Sequence, residues 1–166
     1  MENQLNQYID KLKTLVQEED LKASNRAIND LKTAFEDELL KAENKIQVAQ
    51  LKAQESGETF ETDIDFLKFK NDFYEIYIPF KQAYKLKVEE EKKAKQENLS
   101  LKKKLIAQLE ELVHSTEPIG ALFAAQKEIN EKWKTTGNVP RELGMEVQQS
   151  YSRALDEFHY QMSIRK

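Results

Sequence analysis

At 166 residues the chain is long enough for one domain or a pair of small helical units, each able to bury a core. With 34% charged and 39% hydrophobic residues, four Gly and three Pro, it has the makeup of extended helices rather than of a compact mixed sheet. A formal charge of -4 leaves only a local basic stripe as a route to nucleic acid, and the lack of cysteine excludes disulfides, thiolate metal sites and a thiol nucleophile.

The start, MENQLNQYIDKLK, carries neither a basic leader nor an apolar run, and no stretch approaches the roughly 20 apolar residues that span a bilayer. A cytoplasmic protein without membrane attachment is expected. Leu5, Tyr8 or Ile9, Leu12, Leu15 and Val16 recur three and four apart, which predicts a first amphipathic helix ending near QEED. Asp20 is placed to cap the next helix, whose stripe is Ala27, Ile28, Leu31, Ala34 and Phe35, running on past Leu39, Ile46 and Val48. ESGETFETD, residues 55–63, is the clearest break, because Gly57 and its Ser, Thr and Asp neighbours compete for local backbone hydrogen bonds.

Phe66, Phe69, Phe73, Tyr77, Phe80 and Tyr84 follow at helical spacing, a dense aromatic face interrupted by Pro79. Proline lacks the amide hydrogen and crowds the carbonyl of Glu75, so a kink is expected there. KLKVEEEKKAKQENLSLKKKLIAQLEELV contains no Gly or Pro and passes from a polar stretch into an apolar stripe at Leu101, Leu105, Leu109 and Leu112. A long connecting helix is predicted. Ser115 or Thr116 is the cap expected for the next helix, with Pro118 in its first turn and Leu122, Ile129 and Trp133 along its apolar side. After a TTGNVP joint, Val147, Tyr151, Leu155, Phe158 and Met162 line the last helix. Gly137 is expected as a left-handed cap and Pro140 in the first turn of that helix.

The two halves repeat one another. YIDKLKTLV, residues 8–16, matches LIAQLEELV, residues 105–113, and Ala27, Leu31 and Phe35 fall on Ala125, Ile129 and Trp133. Phe80, Ala83 and Tyr84 pair with Tyr151, Ala154 and Leu155. The fold class predicted is all-α, two three-helix bundle-like units in tandem sharing a long connecting helix: residues 1–84, a divergent first unit; 85–104, the connecting helix; and 105–166, the second unit with the Trp-Gly-Pro joint.

EINEKWKTTGNVPRELGMEVQQSYSRALDEFH, in which a helix ending in Trp133 leads through Gly137 and Pro140 to spaced aromatics, resembles the signature of the bacterial domain of unknown function 349 family. YKLKVEEEKKAKQENLSLKKKLIAQLEEL resembles that family's connecting helix, with Asn98 and Lys104 in a similar setting. The resemblance extends over nearly the whole chain and is strongest from about residue 73. The first unit departs from it in lacking the Trp and the Gly-Pro joint. Relatives carry several such units in series, so the resemblance implies a front piece of a longer protein, ending within a helix at QMSIRK. It implies no activity.

Motifs for chemistry are absent. His114 and His159 stand far apart and belong to no metal-ligand spacing, and the carboxylates of EEE, EDE and DID suit solvated helix faces and caps. No Gly-rich phosphate loop or nucleophile elbow occurs. The reading is therefore not an enzyme, with no cofactor and no metal. Lys85, Lys87, Lys92, Lys93, Lys95, Lys102, Lys103 and Lys104 concentrate positive charge on the connecting helix, although Glu89 and Glu91 lie four residues before Lys93 and Lys95, a spacing that favours pairing along the helix. A scaffold or adaptor for a protein partner is the function expected, with Lys95, Lys102, Lys103, Lys134 and Arg141 as candidate contacts. The alternative is an RNA-, DNA- or ribosome-associated module in which Lys95, Lys102 and Lys103 meet phosphates.

Overall fold

The structure is a computed structural model and describes residues 1–165. Its helices are α1 (Glu2–Val16), α2 (Leu21–Glu55), α3 (Phe66–Val113), α4 (Ile119–Thr135) and α5 (Gly144–Arg165), with a single 3₁₀ turn at Arg141–Leu143 before α5. Among the described residues there is no strand. The chain divides into two compact units, residues 1–87 and 88–166, and α3 contributes its first part to one and its second part to the other.

In the first unit the apolar stripes of α1, α2 and the start of α3 form a core of Leu5, Ile9 and Leu12 with Ile28, Leu31, Phe35 and Leu39, closed by Phe69, Phe73 and Phe80. Asp20 caps α2 by accepting from the amides of Lys22 and Ala23, at 3.1 and 3.2 Å. Ala27 faces solvent, and the buried position a turn earlier is Ser24, 2% exposed, whose hydroxyl donates to Glu18 Oε2 at 3.3 Å. At the far end of α2, Gly57 takes a φ of 73°, with its amide on the Gln54 carbonyl (3.1 Å) and the Glu58 amide on the Ala53 carbonyl (2.7 Å). Those two bonds satisfy carbonyls that the last turn of the helix cannot, and glycine adopts the left-handed conformation they require without a Cβ penalty.

A polar seam runs beside this core. Lys81 Nζ donates to Oδ1 of Asn25 and Asn29 at 2.6 and 2.9 Å, Lys32 lies 5.6 Å from the Tyr77 ring centre, the Tyr74 hydroxyl donates to Glu36, and Lys70 pairs with Glu43 at 3.1 Å. Positions rise along α2 as they fall along α3, so each contact reports the same antiparallel register. Pro79 does not split α3. Pro79 and Glu75 are both exposed, and water can serve the Glu75 carbonyl that the missing amide leaves without a donor.

In the second unit Leu99, Leu105, Ile106, Leu109 and Val113 of α3 pack with Leu122, Ile129 and Trp133 of α4 and with Val147, Tyr151, Ala154, Phe158 and Met162 of α5. Leu101, expected in this stripe, is 43% exposed, because the buried face is centred on the 99-106-109-113 row. Ser115 accepts from the Glu117 amide at 3.2 Å, but α4 begins after Pro118, which is its N-cap rather than a first-turn residue. Arg165 donates to the carbonyls of Val113 and Ser115, tying the end of α5 to the turn that follows α3.

The internal repeat is visible in these cores, with one change of register. Phe35 stacks on Phe73 with centroids 4.2 Å apart, and Trp133 stacks on Tyr151 at 3.9 Å. Phe73 therefore corresponds to Tyr151, Phe69 to Val147 and Phe80 to Phe158, all of them buried. The pairing of Phe80 with Tyr151 expected from sequence is about two helical turns out. A slip of seven residues keeps a helical stripe on the same face, so apolar spacing alone does not distinguish the two registers.

Candidate interaction surfaces

Trp133 ends the buried row of α4 and is 8% exposed. Its ring is held by the Tyr151 stack, and the Tyr151 hydroxyl donates to Asn130 Oδ1 at 2.9 Å, while burial raises the Tyr151 pKa. Lys102 approaches from α3, with Nζ 4.6 Å from the Trp133 ring centre. Among the described residues it has no ion-pair partner. When α1 is matched to the second part of α3 through Ile9 and Ile106, Leu12 and Leu109, Val16 and Val113, Lys102 takes the place of the fully buried Leu5. Its methylenes follow the core row and its ammonium is set against the negative face of the indole.

The joint after Trp133 is closed by side chains rather than by a left-handed glycine. Thr135 and Thr136 hydroxyls donate to the Lys132 carbonyl at 3.1 and 2.7 Å, and Thr136 is already extended. Gly137 does not adopt positive φ; the left-handed glycine of this chain is Gly57. What Gly137 supplies is room: a Cβ there would stand 2.9 Å from Asn98 Nδ2, the atom that donates to the Asn138 carbonyl at 2.8 Å. Pro140 precedes the 3₁₀ turn as its N-cap and accepts from the Leu143 amide at 3.0 Å, so it lies before α5 rather than in its first turn. Trp133, Gly137 and Pro140 are thus brought into one structural joint, with Asn98 as the brace across it.

The candidate cations do not assemble into one surface. Lys95 and Lys102, seven apart, share a face of α3 and are half-buried. Lys103 is about 100° round the helix and lines a small cleft of about 150 Å³ with Ile106, Leu143, Glu146 and Val147. Lys134 and Arg141 are exposed and take no ion pair among the described residues. Among the described residues no ion pair joins Glu89 to Lys93, and the pairs between residues four apart include Lys32–Glu36 and Glu128–Lys132. His114 and His159 are exposed, and no three His, Asp or Glu among the described residues converge as metal ligands. No helix of the described residues is long and apolar enough to cross a membrane.

A different surface emerges on α2. Ala42 is its last buried residue, yet the helix continues to Glu55. Leu40, Val48 and Leu51 stand on one side of it, away from the core row, at 57, 49 and 54% exposure. Beside them, between this stretch and the start of α1, lies a groove of about 600 Å³ whose lining includes Met1, Ala42, Val48, Lys41 and Lys45. Sequence reasoning placed Val48 in the core stripe because it is apolar and lies near the helical period. Counting 100° per residue from Leu39 and Ala42 puts it on the opposite side.

Residues 68–142 match the model of a family described as Domain of Unknown Function (DUF349). The matched stretch holds Asn98, Lys102, Lys104, Trp133, Gly137 and Pro140, that is, the brace and the joint, while α1, α2 and α5 lie outside it. Over that stretch, 75 of the 166 residues, the chain is similar to that family. No curated protein and no solved structure matches the chain significantly.

Proposed function

We propose that this chain is a non-catalytic helical repeat module that binds a protein partner, and that the far half of α2 is the surface it offers. The observation that carries this reading is the row of Leu40, Val48 and Leu51 left in water on one side of α2, the last two beyond its final buried residue, Ala42. Exposed apolar side chains are common singly. Three on one side of one helix, beside a groove, form the kind of patch that a partner covers with a gain of about 25 cal/mol per Å² of apolar area.

Photo-crosslinking in the protein's own cells tests the proposal. A benzophenone side chain at position 48 or 51 is expected to trap a discrete protein, and one at exposed position 93 is expected to trap none. Absence of any adduct from 48 and 51 would remove the reading.

The nucleic-acid alternative ranks below it, since Lys102 is turned onto Trp133 and Lys103 stands on another face from Lys95. A mobility shift with RNA or duplex DNA at low salt, abolished by Lys95→Glu with Lys103→Glu, would reverse that order.

A further inference from the structure

We propose that the partner segment received by α2 is an acidic amphipathic helix, seated along Leu40, Val48 and Leu51 and in the adjoining groove. This rests on the reading of α2 as a docking surface and adds the chemistry of the occupant. Lys41, Lys45 and Lys52 follow one another four and seven residues apart, a basic ridge along one edge of the apolar row. All three are exposed, and among the described residues none has an ion-pair partner. Glu43, on the same stretch, is committed to Lys70 at 3.1 Å. Glu38 is the one carboxylate in the groove lining, against Lys41 and Lys45. Asp37 and Glu55 flank the row at its two ends; between Leu40 and Lys52 the charges without an ion pair among the described residues are all positive.

The form of the occupant follows from the backbone. Within α2 the amides and carbonyls are paired internally, so no edge is offered to an extended peptide and recognition rests on side chains. A helix supplies apolar groups three and four apart on one face, with carboxylates beside them at the roughly 6 Å rise that separates Lys41 from Lys45. Rim charges of this kind set partner choice and association rate, and they are screened by salt.

Selection from a displayed library of helical peptides, with counter-selection on the Val48→Asp, Leu51→Asp double variant, reads the chemistry directly. Both substitutions are at exposed positions, and circular dichroism confirms that the variant keeps its helix content. The expected peptides carry apolar residues at three- and four-residue spacing with flanking Asp or Glu. They should bind roughly tenfold more weakly to the Lys41→Glu, Lys45→Glu variant and weaken as salt rises. Peptides that need Val48 and Leu51 but carry neutral or basic flanks would overturn the acidic occupant and leave the docking surface standing. No enrichment, or peptides indifferent to Val48→Asp and Leu51→Asp, would overturn both. Concentration-dependent self-association in sedimentation, lost in that double variant, would assign the row to a second copy and overturn the acidic partner.

Discussion

Lys102 shows how one side chain changes meaning once its neighbours are known. In a run of three lysines it reads as surface charge, whereas in the fold it occupies the place of Leu5 and covers Trp133. Trp133→Ala removes an indole packed against Tyr151 and Lys102 together, and is expected to cost about 3–5 kcal/mol in a denaturant titration. A loss below about 1 kcal/mol would mean that the ring is not a core anchor. Gly137 is tested through its neighbour. Gly137→Ala pushes on the Asn98 amide, and Asn98→Ala deletes it, so each should cost about 0.5–1.5 kcal/mol for the bond to the Asn138 carbonyl. Because both act on one bond, the double variant should lose little more than either alone; additive losses would separate the glycine from the brace. Tyr74 adds a pH signature. Burial first, and then its hydrogen bond to Glu36, push its pKa up to about 12 from an ordinary value near 10.0. The folded state holds that proton longer than the unfolded chain, so the contribution is complete below pH 10 and is lost as pH rises toward 12. Melting curves across that range should fall less steeply for Tyr74→Phe, and tyrosinate absorbance should show one residue titrating late in the parent. Glu36 works in the opposite direction. The Tyr74 hydrogen bond lowers its pKa, with Lys32 assisting, so its contribution is present above the ordinary 4.5 and fades as acid protonates it.

At the scale of elements, Pro79 sets the sharpest test. A proline inside a helix costs up to about 3 kcal/mol relative to alanine, and here Glu75, whose carbonyl loses its donor, is an exposed residue. Pro79→Ala should restore the missing bond and raise stability by about 1–3 kcal/mol, measured by thermal or chemical unfolding. No gain, or a loss, would show that the local backbone is adapted to proline. Helices were the legible part of this chain, for a physical reason: residues 21–55 and 66–113 pair a 3.6-residue apolar period with few breakers, and apart from Pro79 within α3 the chain is punctuated at Gly57, Pro118 and Pro140, beside observed ends. Contacts whose partners are distant in sequence were not legible. Asn98 against Gly137, Lys102 on Trp133 and the Asn25–Lys81 seam follow from which faces meet, and periodicity on one helix carries no information about the facing one. The α2 surface lay within reach, because a count of 100° per residue separates Val48 from Leu39, but an apolar letter near the right period was credited to the core.

For the whole molecule, the governing fact is that the two cores share no residue, although α3 supplies side chains to both. A cavity made in one core therefore removes packing from that unit alone. Leu12 is fully buried in the first unit, and Leu12→Ala should cost about 2–5 kcal/mol there. Hydrogen exchange followed by mass spectrometry gives the distribution of that loss. Amides of α1 and α2 should exchange faster in the variant, while those of α4 and α5 keep the protection they have in the parent. Within α3 the change should grade out near residues 87 and 88, where one unit gives way to the next. Uniform loss of protection from residue 2 to 165 would instead mean that the shared helix couples the units into one cooperative fold, and a partner bound on α2 would then stabilise the second unit as well as the first.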